Sequence, residues 1–219
     1  MSDLPILVPV NGLDRAKGRL ASLLTPEERV TLALVTLETV LHAAGPRAIV
    51  LTPDERVAAH VDGRARVLRE DPALHGLNAQ LEHAIETLCA EGAVTSRLLI
   101  LHADLPLATA GAIETLEGLD AGEGTVVLVE SPDRGTNAML LHPPGRFPLA
   151  YGPGSFAKHA AAAQTAGMTV VTNHNRELTL DLDTPDDIRE LLRAARGRQG
   201  AAGRYLQTIG VEARMEHAR

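Results

Sequence analysis

Short apolar runs alternate with longer amphipathic segments along this chain, and that alternation limits the fold more than any other feature. A run of a few apolar residues is too short to complete a helix. A longer segment with apolar residues three and four apart buries one face only when it is helical. The combination predicts an α/β architecture of βαβ units, with a mixed, mainly parallel sheet flanked by helices. Ile6–Val10, Ala48–Leu51, Arg66–Leu68, Arg97–Leu101, Thr125–Val129, Ala138–Leu141 and Thr169–Val171 are the expected strands. Helices are expected from Pro26 to about Ala43 and over Pro53–Val61, Asn78–Ala90, Thr109–Leu119 and Ser155–Ala166, with a last one from Pro185 to about Arg196. Thr25-Pro26-Glu27-Glu28 supplies a cap, a first-turn proline and an acidic first turn, and Gly45-Pro46 ends that helix.

The chain has 219 residues, which suits one domain with a modest appendage. We expect the domain over residues 1–196. Residues 197–219 are Gly- and Arg-rich without a clear period and read as a C-terminal tail, either loose or ordered only by a partner. Aromatic residues make up 2% of the chain and Trp is absent, which starves any groove that stacks bases. A net charge of -7 argues further against nucleic-acid binding, which needs a basic face. Cys89 is the single cysteine, so no internal disulfide forms, and its helical setting predicts a buried or half-buried thiol. No segment approaches the roughly 20 apolar residues that cross a bilayer, and no signal-peptide pattern opens the sequence. A cytoplasmic protein without membrane contact is expected.

In open parallel sheets ligands bind beyond the carboxyl ends of the strands, so the loops there carry the functional question. The first reads Val10-Asn11-Gly12-Leu13-Asp14-Arg15-Ala16-Lys17-Gly18-Arg19. Glycines let backbone N–H groups approach phosphate oxygens and the cations neutralise them, although a solvated basic turn has the same composition. Asp104 follows the most apolar strand and precedes Leu105-Pro106, where it can hold a metal on a triphosphate or merely close a turn. Asp181 and Asp183 are two apart on an extended run and share one face. Capping accounts for Thr184, Asp186 and Asp187 but not for that pair. Gly135-Thr136-Asn137 opens an apolar strand, and Gly152-Pro153-Gly154-Ser155 feeds a helix. Both suit an anion pocket, and the second is also an ordinary turn and cap.

In this order the motifs resemble the guanylyltransferases of coenzyme F(420) biosynthesis, which activate phosphoenolpyruvate, 2-phospho-L-lactate or 3-phosphoglycerate with GTP. The resemblance runs from Leu4 to about Arg196 and is most specific at Ala16–Leu20, Gly76–Ala79, Ala103–Leu107, Gly135–Leu141, Gly152–His159 and Leu180–Pro185. It implies a Rossmann-like, GT-A-type nucleotidyltransferase fold and Mg²⁺ as cofactor. By this resemblance Asp104 and Asp183 are the metal carboxylates, with Asp181 as substitute, and Lys17 joins them as catalytic. Val10, Gly12, Lys17, Arg19, Asp71, Gly76 and Asn78 contact the nucleotide. Thr136, Asn137, Gly152 and Ser155 contact the small phosphorylated acid. Asn11, Gly18, His102 and His142 depart from the family's pattern. A homodimer is compatible with such a chain, and the product is expected to pass to the next pathway enzyme. Two rivals stand beside this reading: a transferase of the same fold with another nucleotide and a sugar or cofactor-precursor acceptor, and a non-catalytic nucleotide-binding regulator.

Overall fold

The computed structural model describes residues 3–217. The strands are β1 (Ile6–Pro9), β2 (Ala48–Thr52), β3 (Arg66–Arg69), β4 (Leu98–Leu101), β5 (Thr125–Glu130), β6 (Thr136–His142) and β7 (Thr169–Asn173). The helices are α1 (Pro26–Ala44), α2 (Glu55–Val61), α3 (Leu77–Ala90), α4 (Ala110–Glu117), α5 (Ser155–Thr165), α6 (Arg176–Thr179), α7 (Pro185–Arg193), α8 (Ala195–Gln199), α9 (Ala201–Thr208) and α10 (Val211–His217). All the strands expected from the apolar runs form within a residue or two of their predicted bounds. They build one sheet in the order β3-β2-β1-β4-β6-β5-β7. Pairing is parallel except around β6, which runs antiparallel to both β4 and β5. That reversal brings the start of β6 to the carboxyl edge of the other strands, where Asn137 O accepts a hydrogen bond from His102 N at 2.9 Å.

Side chains alternate strictly across the sheet. Ile6, Val8, Val50, Leu99, Leu101, Val127 and Leu140 pack with α1, α2 and α4 on one face. Leu7, Ile49, Leu51, Leu98, Ile100, Leu128 and Met139 pack with α3 and α5 on the other. The caps follow the sequence. Thr25 and Glu28 form a reciprocal capping box on α1, and Thr109 Oγ1 accepts from Ala112 N at the start of α4. Among the described residues no helix is long and apolar enough to cross a membrane.

Two expectations are overturned. Cys89 is exposed, because the inward face of α3 is taken by Leu81, Ala84, Ile85 and Leu88. The expected loose tail is helical. Ala202, Leu206, Val211 and Met215 close a third apolar cluster with Leu20, Leu23, Leu24 and Leu32, so α1 is sandwiched between the sheet and the chain's end. Arg214 seals this layer with a bidentate pair to Glu28 at 2.7 and 2.8 Å, on the carboxylate that already caps α1. Two of the glycines read as looseness, Gly197 and Gly203, are close-approach sites. A Cβ on Gly203 would meet Arg198 Cα and O at 2.9 Å, and one on Gly197 would meet the Leu191 carbonyl carbon at 2.9 Å.

Gly203→Ala therefore forces these helices apart and should lower stability by about 1–3 kcal/mol, the usual cost of overpacking. Gly111→Ala, whose methyl meets nothing within 4 Å on α4, should be neutral or stabilising. Urea melts of the two variants compare them directly.

Candidate active site

At the carboxyl edge of the sheet lies a cleft of about 950 Å³, lined by residues 9–19 and 102–104 with Ala33, Thr36, Leu77 and Asp183. The strand ends carry both sides of it. Val10 N donates to Leu51 O at 2.8 Å, after which the chain winds through two short 3-10 turns, Leu13–Arg15 and Gly18–Leu20. Asp54, at the start of α2, pins the first turn by accepting from Leu13 N at 2.8 Å. Its hydrogen bonds from Arg56 and Leu13, with the Arg56 charge, hold the carboxyl far below the usual range. Lys17 joins the turns with φ 51° and ψ 40°. That left-handed backbone costs a lysine about 1–2 kcal/mol. It turns a cation into the acidic floor of the cleft.

The floor is a cluster of carboxylates. Oxygens of Asp104, Asp181 and Asp183 all lie within 4.8 Å of one another. Lys17 Nζ donates to Asp104 Oδ2 at 2.8 Å and to Asp183 Oδ1 at 3.0 Å, with 6% of its side chain exposed. Burial works against the ammonium, yet the two aspartates outweigh it and hold its pKa above the ordinary value. Asp104 is held below its usual range for the converse reason: burial works against the carboxylate, and the charges of Lys17 and His102 with its hydrogen bonds together outweigh it. Asp181 has no such partner. Burial, with the charges of Asp104 and Asp183, pushes its carboxyl up to about 7. Asp104 Oδ1 is buried and has no hydrogen-bond partner among the described residues. Three carboxylates against one ammonium, with an orphaned carboxylate oxygen, make a donor set that fits a hard divalent cation. Asp183 is set in place by the cap of α7, where Asp187 Oδ2 accepts from Asp183 N, Thr184 N and Thr184 Oγ1 at 2.6 to 3.0 Å.

Outside the cleft lining, the reversed strand β6 and the start of α5 bring together a buried polar wall of Thr136, Ser155 and His159, joined to the cleft through the Asn137–His102 hydrogen bond. Ser155 Oγ donates to Thr136 Oγ1 at 3.2 Å, and Thr136 Oγ1 lies 3.0 Å from His159 Nδ1. Gly152 (φ 128°) and Gly154 (φ 67°) make the turn that delivers Ser155 to the first position of α5. Gly135 is required by the hairpin before Thr136, since a Cβ there would sit 2.6 Å from Ser131 Oγ. Asn137 has another job: its Nδ2 donates to Thr179 O at 2.7 Å and anchors the backbone that leads to Asp181.

The other predicted contacts are more dispersed. Val10, Gly12 and Arg19 line the cleft; Asp71, Gly76 and Asn78 do not, although Leu77 between them does, and neither do the predicted acceptor contacts Thr136, Asn137, Gly152 and Ser155. Asn78 spends its amide on both backbone groups of Tyr151, accepting at 2.7 Å and donating at 3.2 Å. Asp71 Oδ1 accepts from Ala73 N at 2.8 Å. Arg19 is 65% exposed and its only ion pair among the described residues is to Asp133 at 3.7 Å. Of the two departing histidines, His102 lies on the cleft, whereas His142 is paired to Asp120 at 2.9 Å outside it. Three positioning residues carry no pattern that sequence reasoning singles out. Asp54 looks like a helix start, Gln80 like one more helical polar residue, and His159 closes the Gly152–His159 motif with no role of its own assigned. Gln80 in fact holds the 71–74 loop through Asp71 N, Asp71 O and Leu74 O.

Comparison with known proteins places the chain in a family. Residues 4–219 match the family model described as "Guanylyl transferase CofC like". A phosphoenolpyruvate guanylyltransferase of Sphaerobacter thermophilus is 38% identical over 190 residues, covering 84% of this chain and 90% of that one. A 2-phospho-L-lactate guanylyltransferase of Methanoregula boonei is 31% identical over 203 residues, covering 93% and 87%. Among solved structures, a protein from Desulfovibrio desulfuricans described as a nucleotide-diphospho-sugar transferase superimposes with a TM-score of 0.77 at 15% identity, covering 99% and 98% of the two chains. At that identity the likeness shows the fold alone.

Burial pushes the His159 imidazole down from 6.5 to about 4, so the folded chain excludes a proton that the unfolded chain accepts. The stability this residue contributes is intact above pH 6.5 and drains away as pH falls toward 4, by roughly 3 kcal/mol at the acid end. Urea melts at pH 7 and pH 4.5 should show the loss, and His159→Gln should flatten it.

Proposed function

The chain belongs to the family of CofC-like guanylyl transferases, and on that premise we propose that it transfers GMP from GTP to the phosphate of phosphoenolpyruvate. As a member it is a nucleotidyltransferase acting in coenzyme F(420) biosynthesis. The observation that carries the reading of this site is the carboxylate cluster of Asp104, Asp181 and Asp183 around Lys17 on the floor of the cleft. The choice of acid leans on the relatives. The two at 38% and 39% identity are named for phosphoenolpyruvate, and those named for 2-phospho-L-lactate are 31–35% identical. 3-Phosphoglycerate is the third acid of this class.

In this reading an acceptor phosphate oxygen attacks the α-phosphorus of GTP. The new O–P bond forms as the bond to the β-phosphate bridging oxygen breaks, and pyrophosphate leaves. The acceptor is already ionised, so no side chain need take a proton, and catalysis comes from positioning and charge stabilisation. Asp104 and Asp183, with Asp181 beside them, would hold Mg²⁺, which when bound neutralises and orients phosphate oxygens. Lys17 offsets the charge that accumulates on the departing pyrophosphate. The 12–19 turns, braced by Asp54, present backbone N–H groups and Arg19 to the triphosphate. Thr136 and Ser155 receive the acid at the β6–α5 wall.

Asp104→Asn should lower turnover by at least about 10²-fold, in the range for losing one electrostatic contact at a transition state. The variant should stay folded and lose the rise in melting temperature that Mg²⁺ gives the parent chain. Wild-type turnover in the variant would sink the assignment. The substrate reading is tested by supplying GTP with each of the three acids and detecting pyrophosphate. Phosphoenolpyruvate should lead by about tenfold or more in kcat/KM, the scale of discrimination one shifted group supports. A preference for CTP or ATP over GTP would favour the rival transferase, and nucleotide binding without pyrophosphate release under any acceptor would favour the regulator.

A further inference from the structure

The wall that takes the acid contains a histidine no step of the transfer uses. His159 is fully buried on α5, with each ring nitrogen engaged by a different partner. Nε2 accepts from Ala150 N–H at 2.9 Å, and Nδ1 lies 3.0 Å from Thr136 Oγ1. An amide N–H has no lone pair to offer, so the nitrogen it points at must be unprotonated. Burial keeps the ring neutral at working pH, its pKa having fallen to about 4. A neutral ring with a bare Nε2 carries its hydrogen on Nδ1, and that hydrogen goes to Thr136 Oγ1.

The consequence runs through the hydroxyls. Thr136 Oγ1 accepts from His159 and from Ser155 Oγ at 3.2 Å, which fills both of its lone pairs. Its own hydrogen then finds no acceptor among the described residues. Reversing the bond between the two hydroxyls merely moves the spare hydrogen to Ser155. Either way the trio holds one hydroxyl hydrogen more than it can use internally. Thr136 and Ser155 are 2% and 1% exposed and do not line the cleft, so the spare hydrogen is satisfied only when an acceptor is brought in beside them. A ligand group that only accepts, a carboxylate or a phosphate, completes the set, whereas one that donates would face a wall with its proton outward.

We propose that His159 is a positioning residue for the acceptor: the Ala150 N–H fixes its tautomer, and the tautomer makes Thr136 and Ser155 a donor for an anionic oxygen of the acid. This deepens the proposed function and rests on its assignment of the acid to this wall. Asn at position 159 can place an amide hydrogen near the Nδ1 site, while Leu cannot donate at all.

The test has a spectroscopic and a kinetic arm. In ¹⁵N-histidine NMR of the wild-type chain, the His159 signals should report a protonated Nδ1 and a bare Nε2, and the opposite tautomer would overturn the proposal without any variant. In the kinetic arm, His159→Leu should raise the KM for the acid at least about tenfold while leaving the KM for GTP within about twofold, and His159→Asn should recover most of the loss. A folded Leu variant with unchanged KM for the acid, or with both KM values rising together, defeats it. If the wild-type chain turns over none of the three acids, the proposed function fails on its own, and the NMR arm still decides the tautomer.

Discussion

Carboxylates do not gather at the floor of a cleft unaided. Asp104, Asp181 and Asp183 repel one another in a partly desolvated setting, and the buried ammonium of Lys17 is what makes their proximity tolerable. Much of the surrounding structure serves that contact. Asp54 pins the turn before Lys17, Leu20 anchors the chain after it, and a left-handed backbone at Lys17 aims the side chain inward. On the acidic side, β4 delivers Asp104, Asn137 tethers the end of α6 that leads to Asp181, and the α7 cap holds Asp183. One cation leaves two negative charges uncompensated when all three carboxylates are ionised. The raised pKa of Asp181 and the unpartnered Oδ1 of Asp104 are two expressions of that same deficit.

The sheet was largely legible from the chain, because apolar runs and caps are local signals. The run at residues 98–101, the Thr25–Glu28 box and the Thr109 cap all mean in the structure what they mean in the sequence. The reversed direction of β6 was not legible. Its apolar pattern is the same in either direction, and only pairing with β4 and β5 decides it. The C-terminal segment misled for a physical reason: glycine is both the flexible residue and the thin one. Gly197 and Gly203 work here as thin residues, permitting backbones to touch, and nothing in composition separates the two uses.

The site was legible where a residue's type announces its charge and illegible where a neutral side chain braces a loop. Lys17, Asp104 and Asp183 converge as their motifs suggested. Asn78, expected at the nucleotide, instead holds the Tyr151 backbone, and Gln80 on the same helix holds the 71–74 loop. An amide side chain satisfies a peptide group as readily as a ligand, so its task depends on which loop the fold sets opposite it. His159 belongs with them, its role set by partners nine and twenty-three residues away in the chain.

The third apolar cluster ties Leu20, Leu23 and Leu32 to Val211 and Met215, near opposite ends of the chain. Contacts of this sequence separation carry a large loop-closure cost, so the early members gain these partners late in folding, after their contacts with Leu180–Leu192 are possible. Lys17 lies three residues before Leu20 in that early segment. A molecule can therefore form much of the sheet while the turn that carries its cation is held by Asp54 on one side and lacks part of its apolar anchor on the other. In effect α9 and α10 act on the site from a distance: by packing in the cluster that buries Leu20, they steady the turn that brings the counter-charge to the acidic floor.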